Sequence, residues 1–224
     1  MSKSPIDGAR GLTTRLRTAK GRTTASQRWL ERQLNDPYVR AARAAGWRSR
    51  AAFKIIELDE KYHFFKPGAR VVDLGAAPGG WTQYAVKKAG EQSKIVALDL
   101  LPIEPINGAI ILEGDFEDEA VEKAVLDALS GQADIVMSDM APNTTGHNAT
   151  DHLRIIGLVE LALDFACKVL APGGTFVAKV FQGGTEKTLL DRLKRDFAVV
   201  RHAKPPSSRK DSAEMYVVAT GFRG

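Results

Sequence analysis

Short apolar runs alternate with amphipathic stretches along the 224-residue chain. Seven runs read as strands: 69–75 (ARVVDLG), 94–100 (KIVALDL), 109–115 (AIILEGD), 133–140 (ADIVMSDM), 175–182 (TFVAKVFQ), 197–203 (FAVVRHA) and 213–222 (AEMYVVATGF). Several are apolar at consecutive positions, the pattern of a strand covered by helices on both faces. Helical spacing fills the intervals. The stretch 80–90 closes on Gly90, and 117–131 carries acids in its first turn and Gly131 at its end. A long apolar helix from Leu153 is stopped by Pro172-Gly173-Gly174, and a further helix lies around 184–196. Ahead of the first strand the pattern is helical from Ser26 to Ala45. Ser49 is placed to cap a second helix over 50–64, with Ile55, Leu58 and Tyr62 at helical spacing.

This alternation predicts an α/β protein with a mostly parallel seven-stranded sheet and helices on both faces. The final two runs are joined by a nine-residue polar loop, KPPSSRKDS, too short for a crossover helix. They can pair antiparallel, so one strand near the sheet edge is expected to run against the rest.

Charge changes the picture at one end. The chain carries +5, with +9 in residues 1–50 and −4 in the remainder. A division follows: residues 1–46 form a basic arm, flexible and then helical, and residues 47–224 form the globular domain. A polyanion, most simply nucleic acid, is the partner such an arm suggests. A solubilising tail is the plain alternative. A transit peptide ranks below both, because Gly8, Gly11 and Gly21 interrupt an amphipathic helix. Hydrophobic content of 44% and charged content of 26% are ordinary for a soluble globular domain. The single cysteine, Cys167, excludes an internal disulfide, fits a reducing compartment and sits in an apolar helical stretch. No run is long enough for a membrane span or a signal peptide, so a cytoplasmic protein is expected.

The chemistry gathers at strand ends. Asp73 to Trp81, DLGAAPGGW, joins the first strand to a helix through Gly75, Gly79 and Gly80. Such a turn lets a ligand approach the backbone and the free N–H groups of a helix N-terminus. The spacing is G-x-x-x-G-G, not the G-x-G-x-x-G that holds a dinucleotide pyrophosphate. It suits a nucleoside with an amino-acid tail, namely S-adenosylmethionine. Asp99 ends the second strand, where an acid commonly accepts from ribose hydroxyls. Asp115 ends the third and could accept from an adenine amino group or cap a helix. Asp139 follows the fourth, in the segment SDMAPN that runs to Asn143.

Lys179 lies within the otherwise apolar run TFVAKVFQ, where an unpaired buried charge is costly. If the last strand is antiparallel, its first residue, Glu214, lies at the same sheet edge as Asp139 and Lys179. A lysine between two carboxylates is stabilised in its charged form. Three ionisable groups at one edge favour a functional site over a structural ion pair. His147 and His152 flank a loop without any zinc spacing, so no metal site is expected, and a polar loop position is the plain reading for these two and for His63 and His202.

The blocks WRSRAAFK, VVDLGAAPGGW, LDLLP, GDF, MSDMAPN, LAPGG, FVAKVFQG, KPPSSR and EMYVVATG, in this order from about Trp47 to the end, resemble the FtsJ-type (RlmE-type) 2′-O-ribose methyltransferases of large-subunit ribosomal RNA. The arm 1–46 and the segment TTGHNATDH lie outside the resemblance. The resemblance implies a Rossmann-like, S-adenosylmethionine-dependent methyltransferase fold. It implies a catalytic set of Lys54, Asp139, Lys179 and Glu214, and cofactor contacts at Gly79, Trp81, Asp99, Asp115 and Asp139. It implies a uridine ribose of 23S rRNA, on the assembled 50S subunit, as the methyl acceptor, and an enzyme acting as a monomer. Lys179 is the expected base, or else it orients the hydroxyl while the proton leaves late; Lys54 lowers and the two acids raise its proton affinity. Arg48, Arg50, Lys204, Arg209 and Lys210 are expected to flank the RNA. A transfer RNA or mRNA cap as substrate, or a non-catalytic RNA-binding assembly factor, are the alternatives.

Overall fold

The computed structural model describes residues 23–142, 148–181 and 187–224. Three helices precede the sheet: α1 (Thr24–Asn35), α2 (Pro37–Ala44) and α3 (Ala52–Tyr62). Then come β1 (Arg70–Leu74), α4 (Gly80–Ala89), β2 (Lys94–Asp99), β3 (Ile110–Glu113), α5 (Glu119–Leu129) and β4 (Ala133–Ser138). The chain continues through α6 (Asn148–Val169), β5 (Leu170–Phe181), α7 (Lys187–Asp196), β6 (Phe197–Ala203) and β7 (Glu214–Phe222).

All seven strands join one sheet in the order β3-β2-β1-β4-β5-β7-β6. Pairing is parallel from β3 through β5, and β7 runs antiparallel to both β5 and β6. The reversed strand therefore sits second from the edge, and the architecture is Rossmann-like. Strand order reverses direction between β1 and β4, and the carboxyl edge there is where open α/β sheets bind ligands.

Alternation along each strand divides the core in two. One face takes Val72, Leu74, Phe176, Ala178 and Val217 against α5, α6 and α7. The other takes Val71, Ile135, Met137, Val177, Tyr216 and Val218 against α3 and α4. Asp139, Lys179 and Glu214 continue the second series at two-residue steps, so all three belong to the face that α3 covers.

Several local expectations change. The helical pattern over 26–45 is two helices, because Asp36 is extended (ψ 116°) ahead of Pro37. A residue before proline is pushed out of the helical region, and Pro37 then starts α2 without needing its missing N–H. Asp36 caps α2 by accepting from the Tyr38 N–H. Ser49 caps nothing: the residue before α3 is Ala51, already helical, and the Ser49 hydroxyl is buried without a partner among the described residues. Pro172-Gly173-Gly174 does not merely end α6. It lies in a register shift of β5, between the pairs Ala133–Leu170 and Ile135–Thr175, where Gly173 takes φ +84°. Asp115 is not the cap of α5; Asp118 is. Asn143, His147 and Gln182 lie outside the described residues.

Candidate active site

Two cavities lie at the carboxyl edge. The larger, about 800 Å³, is lined from β1 by Gly75 and Ala77, from β2 by Asp99 to Leu101, from β3 by Gly114 to Glu117 and from β4 by Asp139 to Pro142. Gly75 has φ +69°, and a Cβ there would stand 2.2 Å from the Met140 Cγ, so only glycine fits. The Asp99 carboxylate accepts from the Ala77 N–H at 2.8 Å and from the Leu101 N–H at 2.8 Å. It thereby ties the glycine turn to its own loop, with further lone pairs left to accept from a ligand. Asp115 is exposed at the rim and accepts from the Glu117 N–H at 3.0 Å.

Gly79 and Trp81 do not line this cavity. Gly79 caps α4 with φ +103°, and the Trp81 ring is 3% exposed inside the core. The Trp81 indole donates to the Ala51 carbonyl at 2.8 Å, which fixes α4 to the start of α3, the helix that carries Lys54.

Beneath the turn, Asp73 is fully buried and accepts from the Thr82 hydroxyl at 2.6 Å. Burial pushes its carboxyl up to about 7, against the lowering effect of Thr82 and with help from the charges of Asp139 and Asp99.

The four charged side chains converge beside the cavity. Lys179 Nζ lies 2.9 Å from Asp139 Oδ1 and donates to the Asp139 carbonyl at 2.7 Å. Lys54 Nζ lies 2.7 Å from Glu214 Oε2 and 3.6 Å from Asp139 Oδ2. Lys179 is 3.9 Å from Glu214. Their side chains are 9 to 17% exposed. Burial alone would raise the Asp139 carboxyl, but Lys179, Lys54 and a hydrogen bond from Tyr216 together hold it below its ordinary value. Each buried charge has an opposite partner, which is what makes the cluster tolerable in a sheet core.

Tyr216 is a member of this site that the sequence reading missed. Its hydroxyl donates to Asp139 Oδ1 at 2.6 Å, and its ring lies 5.7 Å from Lys54 Nζ. Burial, with Asp139 and Glu214 nearby, drives its phenol well above the usual value, so it remains a donor. The signal was available: Tyr216 lies two residues from Glu214 and so on the same strand face.

A second cavity, about 430 Å³, opens on the other side of the cluster and is lined by Gln33, Arg50, Lys54, Arg209, Ser212 and Glu214, with Asp211 beside them. Asp36 organises its wall: Oδ2 is 3.0 Å from Arg50 and 3.1 Å from Arg209. Arg50 also donates to the Ser207 carbonyl, the Ser207 N–H donates to Glu57 and the Ser208 hydroxyl donates to Glu214 at 2.8 Å. Of the five cations expected to flank RNA, Arg48 and Lys204 donate to backbone carbonyls, Arg50 and Arg209 pair with Asp36, and Lys210 is exposed. Among the described residues no group of three or more His, Cys, Asp or Glu is placed to hold a metal ion, and no helix is long and apolar enough to cross a membrane.

The sheet topology, the carboxylate-edged cavity at its switch point and the Lys–Asp–Lys–Glu cluster on its wall define a Rossmann-like methyltransferase. The family model described as FtsJ-like methyltransferase matches residues 47–222, and the chain belongs to that family. It is 63% identical over 225 residues to the ribosomal RNA large subunit methyltransferase E of Paramagnetospirillum magneticum, covering 98% of this chain and 92% of that one. It is 61% identical over 223 residues to the protein of the same name from Acidiphilium cryptum, covering 100% and 98%. Among solved structures, a ribosomal RNA methyltransferase of Plasmodium falciparum superposes with a TM-score of 0.71 at 30% identity, covering 80% of this chain and all of that one.

Proposed function

We propose that this protein transfers a methyl group from S-adenosylmethionine to the ribose 2′-oxygen of a uridine in 23S ribosomal RNA, with the assembled 50S subunit as substrate. The observation that carries the reading is that the charged cluster bridges two cavities, with Asp139 of one lining 3.6 Å from Lys54 of the other. Asp139 lines the larger one, and Lys54 and Glu214 line the second.

The larger cavity suits the methyl donor. Its carboxylates at Asp99 and Asp115 match ribose hydroxyls and an amino group, and Leu100, Leu101 and Met140 offer apolar contact. When bound there, the donor supplies an already activated sulfonium methyl. What remains for the protein is orientation and proton removal. An acceptor ribose entering through the second cavity meets Lys54 and Glu214, with Lys179 3.9 Å from Glu214. Lys179 Nζ, once it has released its own proton to solvent, takes the 2′-hydroxyl proton as the oxygen attacks in line, and the methyl–sulfur bond breaks as the new methyl–oxygen bond forms. Asp139, held ionised and braced by Tyr216, fixes Lys179, and Glu214 fixes Lys54. The polar, cationic lining around Arg50 and Arg209 suits a phosphodiester backbone. The intact cluster and turn disfavour a non-catalytic RNA-binding role.

The deciding experiment offers labelled S-adenosylmethionine with intact 50S subunits, free 23S rRNA, transfer RNA and capped mRNA in parallel, and maps the methylated nucleotide. Label on a 2′-O-methyluridine of the 50S particle is expected. Label confined to transfer RNA or cap would overturn the reading.

A further inference from the structure

Arg48 lies in the connector between α2 and α3, where its charge suggests RNA contact. Its guanidinium points elsewhere. Nη1 donates to the Pro78 carbonyl at 3.2 Å and the Glu104 carbonyl at 2.6 Å, and Nη2 donates to the Pro105 carbonyl at 2.7 Å. These carbonyls belong to two neighbouring segments that each contribute other residues to the larger cavity. Pro78 follows Ala77 in the glycine turn, and 104–105 continue the segment whose Leu100 and Leu101 line the cavity. The contact is close: a Cβ on Gly79 would come within 2.6 Å of Ile106 and 3.3 Å of Arg48 Nη1.

The connector is stitched to α4 by its backbone as well. The Arg48 N–H donates to Gln83 Oε1 at 2.8 Å, and Gln83 Nε2 donates to the Gly46 carbonyl at 3.2 Å. A Cβ on Gly80 would strike Ser49 Oγ at 2.5 Å. The same connector runs into α3 and Lys54.

We infer that Arg48 is a positioning residue for the methyl donor: one guanidinium clamps the glycine turn to the 100–106 segment and registers both against the helix carrying Lys54. The inference rests on the proposed function. A planar fork can serve carbonyls of two segments at once, whereas an ammonium is a single point donor. Keeping the charge is therefore not enough to keep the clamp.

The test compares wild type, Arg48→Lys and Arg48→Ala. S-adenosylhomocysteine is titrated calorimetrically, RNA affinity is measured at fixed salt, and kcat and KM for S-adenosylmethionine are measured on 50S subunits. Both variants are expected to bind S-adenosylhomocysteine about tenfold more weakly, which corresponds to about 1.4 kcal/mol. KM for the donor should rise by the same order while kcat and RNA affinity hold. The lysine variant carries the comparison if the alanine variant folds poorly. Unchanged S-adenosylhomocysteine affinity in the lysine variant overturns the inference alone. So does a loss of RNA affinity with donor affinity intact, which returns Arg48 to an RNA contact. A wild-type protein that binds no S-adenosylhomocysteine overturns the proposed function and the inference with it.

Discussion

Lys179 holds Asp139 by two atoms, approaching Oδ1 at 2.9 Å and donating to the backbone carbonyl at 2.7 Å. Tyr216, its ladder partner on β7, donates to the same Oδ1. The nitrogen is thus fixed from the strand beside it and from the loop after β4. Lys179→Ala should lower methyl transfer by about 10²-fold or more, the scale of a lost proton acceptor. S-adenosylhomocysteine should still bind. Near-normal turnover in labelled-methyl assays would exclude Lys179 as the base.

Tyr216→Phe removes one donor from a buried carboxylate. The expected loss is about 1–3 kcal/mol in chemical denaturation. It also removes one of the influences that hold Asp139 low. A carboxyl with a depressed folded pKa stabilises the fold above its unfolded pKa and loses that contribution as pH falls through the folded one. The acid limb of stability should therefore move to higher pH in Tyr216→Phe. An unmoved limb would mean the hydrogen bond contributes little to Asp139.

Asp73 has the opposite sign. Its carboxyl is pushed up to about 7, so the folded state holds a proton that the unfolded state has released. Stability from this group falls as pH rises from its ordinary value toward about 7, and is level above it. Asp73→Asn keeps an acceptor for Thr82 but cannot ionise. Its stability relative to wild type should improve with pH across that window. Parallel pH curves for the two proteins would contradict this.

Asp36 caps α2 and pairs with two arginines. Asp36→Ala should cost more than the ~1 kcal/mol of a lost cap, because Arg50 is only 16% exposed and loses its counter-charge. A double-mutant cycle with Arg209→Ala should give a non-zero coupling in thermal melts. Additive losses would mean that Asp36 acts as a cap alone.

The first four strands are legible because each is a short apolar run that ends at or beside a glycine or an acid. Those ends alone place Gly75, Asp99, Asp115 and Asp139 at one edge. The reversed direction of β7 followed from a loop too short for a crossover. Two breaks were misread for local reasons. The helical spacing over 26–45 conceals the Asp36–Pro37 stop, and Ser49 looks like a cap although its helix starts three residues later, at Ala52. The resemblance gives Trp81 to the donor, and the structure places its ring in the core with its indole N–H on the Ala51 carbonyl.

By itself the sequence determined the element order, the parity that puts Asp139, Lys179 and Glu214 on one sheet face, and the glycine turn beneath the larger cavity. Those depend on two-residue and 3.6-residue periods and on local sterics, which the chain carries wherever it folds. Only the tertiary structure decided that Lys54 on α3 reaches Glu214, that Tyr216 braces Asp139, that Arg48 donates to backbone carbonyls, and that Arg50 and Arg209 pair with Asp36. Those contacts join segments tens to over a hundred residues apart. Their distances depend on how helices pack on the sheet, and no local pattern encodes that.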